Sequence, residues 1–394
     1  MAAPRVLVLT STLPARIGDG TPAFVADLSR ELGREFDVRV LAPAVPGGAE
    51  RERLSDAVEV VRYRYFPSRW EDLADGAILE NVRSRRSRIA QVPFLLGGMA
   101  SAVRREMRDF RPDAVHAFWI IPQGIVAHRV ARSVPTVVTT LGGDLYALDN
   151  APARAEKSRV VRDAAAVTVM NADMRERVLA LGADPATTHV IPMGARFVQV
   201  DHDDRQVTKP ATWKHPVHLL AVGRLVEKKG FDVLLEALRR SRARIDLTIV
   251  GDGPERARLE ALAEGLPVTF RGQLSRAELD AALARAGIAV FPSRRAASGD
   301  QDGLPVAMLE AMGAGCAIIA SDLPGLNEAI EPGRSGVLVP EGDAEALARS
   351  LEVLAEDQEL RAALGAAARE RSRRYSVEAV GEDYRELFRR VLAS

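Results

Sequence analysis

Asp302-Gly303-Leu304-Pro305-Val306-Ala307-Met308-Leu309-Glu310-Ala311-Met312-Gly313-Ala314-Gly315 reads as a loop feeding an apolar helix. Pro305 suits the first helical turn, where its missing N–H would have had no intrahelical partner, so a helix is expected from about Leu304. The first amides of such a helix lack carbonyl partners and its dipole makes that end partly positive, which suits an anion such as phosphate. Glu310 falls inside the helix. At ~1.5 Å rise per residue, two helical acids at positions 302 and 310 would lie about 12 Å apart, beyond the roughly 5 to 9.5 Å of a glycosidase pair. The two carboxylates therefore have different jobs. An ordinary amphipathic helix with a polar start is the competing reading of this stretch alone.

Working outward, short β-branched runs flank that helix at Ile288 to Phe291 and Ala317 to Ala320. Others stand at Leu219 to Val222, Leu247 to Val250, Val268 to Phe270 and Val337 to Val339, with helical patterns between them. The first half has the same alternation, at Val6 to Leu9, Val38 to Leu41, Val58 to Val61, Ala114 to Ala117, Thr136 to Thr139, Ala166 to Val169 and Val190 to Ile191. Strands alternating with helices imply parallel sheets with helices on both faces. We divide the chain into a Rossmann-like domain at 1–200, a polar linker at 201–216, a second Rossmann-like domain at 217–375, and a final helix at 376–394 that returns to the first domain. At 394 residues two domains are the default.

Composition narrows the partners. Lys+Arg and Asp+Glu balance at 54 each, which gives no reason to expect nucleic acid. The single cysteine, Cys316, excludes an internal disulfide and a cysteine-cluster metal site, and fits a reducing compartment such as the cytoplasm. The start of the chain runs directly into a strand pattern without a signal-peptide profile, and no run is apolar enough to span a membrane. Residues 62–111 are rich in arginine, with Arg62, Arg64 and Arg69 among Tyr63, Tyr65, Phe66 and Trp70, then Arg83, Arg85, Arg86 and Arg88. A solvated charged face is the favoured reading; a weak peripheral contact with an anionic inner membrane surface is the second.

Ala221-Val222-Gly223-Arg224-Leu225-Val226-Glu227-Lys228-Lys229-Gly230-Phe231 follows the first strand of the second domain. It puts Arg224, a bidentate phosphate ligand, and Lys229, a compact charge, at the edge where parallel sheets bind ligands. Further along come GDGPERARLEALA from Gly251, FRGQLSRAELDAALARAGIAVFPS from Phe270, the 302–315 stretch, and GRSGVLVP from Gly333. In order and spacing these motifs resemble the retaining enzymes of glycosyltransferase family 4. In the first half the resemblance rests on the Gly18-Asp19-Gly20 loop with FVADLSREL, on HAFWIIPQG from His116 and on VVTTLGGDLYAL from Val137.

The resemblance implies a GT-B architecture, an α/β fold of two Rossmann-like, doubly wound parallel-sheet domains facing a cleft, with a nucleotide-diphospho-sugar donor and no further cofactor. By position, Gly223, Arg224, Lys229 and the amides of Gly303, Leu304 and Pro305 would hold the diphosphate. Glu310 would accept the ribose hydroxyls, Leu274 would lie by the base, Asp302 would touch the sugar, and Gly18 and Gly20 would approach the donor from the other domain. Arg224, Lys229 and Asp302 are the catalytic candidates. His116, Leu141, Gly142 and Asp144 are candidates for acceptor or sugar contact, the acceptor being a glycan, a small molecule or a lipid-linked sugar. No metal is implied: Asp201-His202-Asp203 and Asp300-Gln301-Asp302 match a D-x-D pattern in unsuitable places. Two positions depart from the family, Asp302 where it has Glu and Leu141 where it has His. The alternatives are a nucleotide-sugar epimerase or hydrolase on the same fold, and a non-catalytic binding protein.

Overall fold

The computed structural model describes residues 3–15, 22–76, 78, 81–82, 85–146, 150–197, 216–297 and 299–393. Gly18, Gly20, Arg83, Asp201 to Asp203 and nearly all of the expected linker lie outside them. The chain forms two compact units, Met1–Pro192 with Val377–Ser394, and Met193–Ser376.

Among the described residues the first unit has strands β1 (Arg5–Leu9), β2 (Asp37–Pro43), β3 (Arg51–Ser55), β4 (Val58–Tyr63), β5 (Ala114–Phe118), β6 (Thr136–Thr139), β7 (Ala166–Val169) and β8 (Thr188–Val190). Their order is β3-β4-β2-β1-β5-β6-β7-β8, and only β3 runs antiparallel to its neighbour. β5 and β7 are buried throughout, so both faces are covered and the sequence reads as a continuous apolar run. β3 was not expected from sequence. Arg-Glu-Arg-Leu-Ser alternates exposed and half-exposed positions, as suits a charged edge strand.

The C-terminal helix Val377–Ala393 belongs to this unit and packs on the helix Phe24–Leu32. Gly381 lies so close to Glu31 that a Cβ would collide with its side chain. Arg385, buried, donates to the Glu31 carbonyl and carboxylate, both at 2.9 Å, and Arg389 donates to Glu35 at 2.6 Å. The Tyr384 hydroxyl reaches under the sheet to Thr168 Oγ1 at 3.0 Å.

The second unit contains β9 (Val217–Val222), β10 (Ile245–Val250), β11 (Val268–Phe270), β12 (Ile288–Phe291), β13 (Ala317–Ser321) and β14 (Val337–Val339), ordered β11-β10-β9-β12-β13-β14 and parallel throughout. Every strand expected here is present. Alternate residues feed two cores: Leu219 and Ala221 face the helices Phe231–Arg240 and Ala344–Glu356, while Leu220 faces Arg276–Arg285 and Val306–Ala314. Strand order reverses between β9 and β12. Residues from Met193 to Phe197, grouped with the first half on sequence, belong to this unit because Ala195 N–H donates to the Tyr375 carbonyl at 2.8 Å and Phe197 covers Gly313. Among the described residues no helix is long and apolar enough to cross a membrane.

Candidate functional site

In open α/β sheets ligands bind outside the carboxyl ends of the strands, at the point where strand order reverses. In the second unit that point lies between β9 and β12. β9 runs into Gly223 and the exposed Arg224, and Glu227–Lys229 then makes one 3-10 turn ending at Gly230. Gly230 has φ 62, and a Cβ there would collide with the Pro292 carbonyl, so glycine alone lets this turn lie against the end of β12.

The turn is joined rung by rung to the loop that follows β12. The Glu227 carboxylate accepts from Ala297 N–H at 3.1 Å, and the Glu227 carbonyl accepts from Arg294 Nε at 3.2 Å. Lys228 Nζ lies 3.1 Å from Asp300 and 3.7 Å from Asp302 Oδ1. Lys229 Nζ and Ser293 Oγ both donate to Asp302 Oδ2, at 2.7 and 2.9 Å. Burial alone would push the Asp302 carboxyl up, but the charges of Lys229 and Lys228 outweigh it and hold the group below the ordinary carboxylate value. Burial would likewise pull the Lys228 ammonium down, and Asp302 and Asp300 raise it instead. Both signs favour the charged forms of Asp302 and Lys228.

The helix starts later than expected. Leu304 is not helical, because a residue preceding proline is disfavoured in the α region. Pro305, at φ −68 and ψ 121, is the N-cap of Val306–Ala314, and its carbonyl accepts from Met308 N–H at 2.9 Å. Gly303 and Pro305 are buried and Leu304 is half-buried. Glu310 is buried on this helix and pairs with Arg276, which also contacts Asp280 at 2.7 Å. Leu274 is half-buried just before the helix Arg276–Arg285. The sequence motifs thus brought Arg224, Lys229, Asp302 and Glu310 to one unit. Sequence reasoning missed Lys228, Ser293, Asp300 and Arg276; the only signal in the sequence for Asp300 is the D-x-D match.

In the first unit the candidates His116 and Asp144 are both buried. His116 is wholly buried in β5, with Nε2 at 2.7 Å from Thr139 Oγ1 and its ring among Phe118, Tyr384 and Phe388. Burial pulls its pKa from 6.5 to about 3. A neutral ring in that core reaches no acceptor. Asp144 is buried too, accepting from Ile120 N–H at 2.6 Å and Thr140 Oγ1 at 2.7 Å, with burial pushing its carboxyl up. Its oxygens tie two loops together. Leu141 is half-exposed at the end of β6, and Gly142, at φ 105, makes the turn that follows. A cavity lined by His128, Arg132, Thr136 and Asp163 lies at the amino ends of β6 and β7, the edge opposite to the one parallel sheets use for ligands.

Two doubly wound α/β units, one with a cationic, helix-led switch point, define the GT-B class of fold. Residues 19–194 match the family described as Glycosyl transferase 4-like domain, and residues 204–371 match Glycosyl transferases group 1. The amylovoran biosynthesis glycosyltransferase AmsK of Erwinia amylovora is 35% identical over 184 residues, 45% of this chain and 44% of that protein. The match thus spans less than half the length of that relative. Sucrose-phosphate synthase from Thermosynechococcus elongatus shares the fold with a TM-score of 0.79 over 99% of both chains at 20% identity. Anabaena HepE in complex with UDP gives 0.71, over 98% of this chain and 100% of that one, at 18% identity. The chain belongs to the GT-B glycosyltransferases of the family 4 type.

Proposed function

We propose that the protein is a retaining glycosyltransferase that moves a sugar from a nucleotide-diphospho-sugar to a glycan, lipid-linked or small-molecule acceptor, with no metal or other cofactor. The observation that carries this reading is Lys229, on the turn after β9 at the switch point of the second unit, fixed at 2.7 Å by Asp302 on the loop that leads into the helix Val306–Ala314. Cleaving a sugar–phosphate bond builds negative charge on the departing diphosphate. Lys229, Arg224 and the first-turn amides would meet that charge, and one such preorganised donor typically contributes about 2.7 to 4 kcal/mol to the transition state. The UDP bound to the HepE neighbour supports a nucleoside diphosphate as the leaving group.

Both acids of the opening stretch already have cationic partners, Asp302 in Lys229 and Glu310 in Arg276. That supports attack on the face the diphosphate leaves rather than a covalent carboxylate intermediate. The sugar C1–O bond to phosphate breaks, the bond from C1 to the acceptor oxygen forms, and the acceptor proton passes to the departing phosphate oxygen. Lysines also hold the oxygens of the D-x-D match at Asp300 and Asp302, which supports independence from a divalent cation. The lone, buried Cys316 supports a reducing compartment such as the cytoplasm.

The test is incubation with radiolabelled nucleotide-sugars and an acceptor pool, with and without a chelator. Transfer that survives the chelator, with the donor's anomeric configuration kept, is the expected result. Free sugar, an epimerised donor, no turnover, or activity that returns only with added manganese or magnesium would contradict it.

A further inference from the structure

Six large apolar side chains are exposed among the described residues, and three of them, Trp70 (53%), Ile89 (59%) and Phe94 (56%), fall in one part of the first unit. Trp70 ends the 3-10 turn Ser68–Trp70, Ile89 lies in Arg86–Gln91, and Phe94 is in the first turn of the helix Val92–Asp109. Asp72 ties these pieces into one surface. Its carboxylate accepts from Arg88 at 2.7 Å and Gln91 at 3.0 Å, while its N–H donates to the Trp70 carbonyl at 3.0 Å. Phe66 meets Phe94 edge-on, with ring centroids 5.3 Å apart.

Positive charge is concentrated on the same surface. The described residues between 62 and 91 include six arginines and three acids in a chain of zero net charge, so the excess is local. Part of it is absorbed within the unit: Arg62 is buried against Glu52 and the Pro14 carbonyl, Arg64 pairs with buried Glu71, and Arg88 pairs with Asp72. Arg69 and Arg86 are exposed, as is Arg85, whose guanidinium lies 3.8 Å from Asp72. The Arg69 guanidinium lies over the Trp70 ring at 3.9 Å, which puts a cation and an indole at one level.

We propose that this face docks on an anionic lipid surface. Trp and Phe side chains settle at the boundary between headgroups and acyl chains while neighbouring arginines meet lipid phosphates, and the two terms reinforce each other. Arg and Trp are also enriched in protein interfaces, so a protein partner is the rival occupant, and the oligomeric-state arm of the test below separates it from lipid. The sequence alone favoured a solvated charged face. The exposed Trp70, Ile89 and Phe94, which composition does not reveal, reverse that preference. Docking does not depend on the transfer reaction; joined to it, docking favours an acceptor carried on a lipid.

The test is co-sedimentation of the full chain with vesicles of phosphatidylcholine alone and of phosphatidylcholine mixed with phosphatidylglycerol, at low and high salt. The expected result is at least about tenfold tighter binding to the mixed vesicles, weakened by salt because the arginines are screened over about 8 Å at physiological ionic strength. A doubly substituted Arg85→Glu, Arg86→Glu protein should lose that preference. A Trp70→Ser, Phe94→Ser protein should bind both vesicles less, with its melting temperature and its response to nucleoside diphosphate unchanged. Equal or absent binding of the wild type to the two vesicles would overturn the proposal. So would wild-type binding by both variants, or a wild-type dimer that Trp70→Ser, Phe94→Ser converts to monomer, which would make the face a protein interface. The nucleotide response is read separately, so failure here leaves the transferase reading standing, and the reverse.

Discussion

Beside β6 in the first unit, Asp144 is buried and accepts two hydrogen bonds, from Ile120 N–H and Thr140 Oγ1. Beside β12 in the second unit, Asp302 is also buried and also accepts two, from Ser293 Oγ and Lys229 Nζ. Two lysines, Lys229 and Lys228, act on Asp302, whereas Lys157 acts on Asp144 without outweighing its burial, and the two pKa values move in opposite directions, up at Asp144 and down at Asp302. The first carboxylate joins loops. The second fixes a cation at the edge that open α/β sheets use for ligands. A buried aspartate in a glycine-rich loop is therefore no guide to a sugar site until its donors are known.

The sharpest way to break this comparison is to remove the cation. Lys229→Ala should lower kcat/KM at least about a hundredfold with the melting temperature kept, as loss of a leaving-group stabiliser would; near-normal turnover in steady-state assays would erase the distinction. Asp144→Ala should do the reverse, lowering unfolding free energy by about 2 kcal/mol in denaturant titration, because Ile120 N–H and Thr140 are left without their acceptor in a buried site. Activity per folded molecule should not change.

His116 adds a pH signature to the first unit. Its ring stays neutral when folded, with a pKa of about 3 against 6.5 unfolded. The unfolded chain therefore takes up a proton first as pH falls. Stability present above 6.5 is lost progressively between 6.5 and 3, by about 1.4 kcal/mol per pH unit. Denaturant midpoints for the wild type and His116→Phe across that range should converge in slope only if this account is wrong.

Lys228 and Asp300 sharpen the comparison from the other side. Their pair joins the turn after β9 to the loop before the helix Val306–Ala314, which suits a positioning role. Lys228→Ala or Asp300→Asn should raise the donor KM about tenfold, a shift of about 1.4 kcal/mol, with a smaller change in kcat. The swapped pair Lys228→Asp, Asp300→Lys should recover part of the loss, which a general folding defect would not allow. The smallest effect is expected at Leu141, where an apolar side chain stands in place of a histidine. Leu141→His should favour a donor hexose over its 6-deoxy counterpart by about 0.5 to 1.5 kcal/mol, measured as a ratio of kcat/KM values.

The sequence was most informative where burial on both faces writes itself as an unbroken apolar run, as at Ile288 to Phe291 and Ala317 to Ala320. It was silent on β3, whose Arg51, Glu52 and Arg53 alternate on an exposed sheet edge and look like loop. At the site, Lys229, Asp302 and Glu310 were legible because they sit in contiguous motifs. Lys228 with Asp300 and Arg276 with Glu310 were not, since each pair joins segments that only the fold brings together. His116 left two readings open, a satisfied histidine and an acceptor contact, because a histidine at a strand end looks the same in sequence whether it faces solvent or, as here, a core of aromatic rings.

The most direct test of the central claim, that the switch point of the second unit binds the diphosphate of a sugar donor, is a calorimetric melt of wild type and Lys229→Ala against a panel of nucleoside diphosphates with the matching nucleosides. At a hundred times its dissociation constant, one nucleoside diphosphate should stabilise the wild type by about 2.7 kcal/mol. Its nucleoside should do far less, and Lys229→Ala should lose most of the gain. Equal stabilisation of wild type and Lys229→Ala, or no response to any nucleoside diphosphate, would contradict the claim.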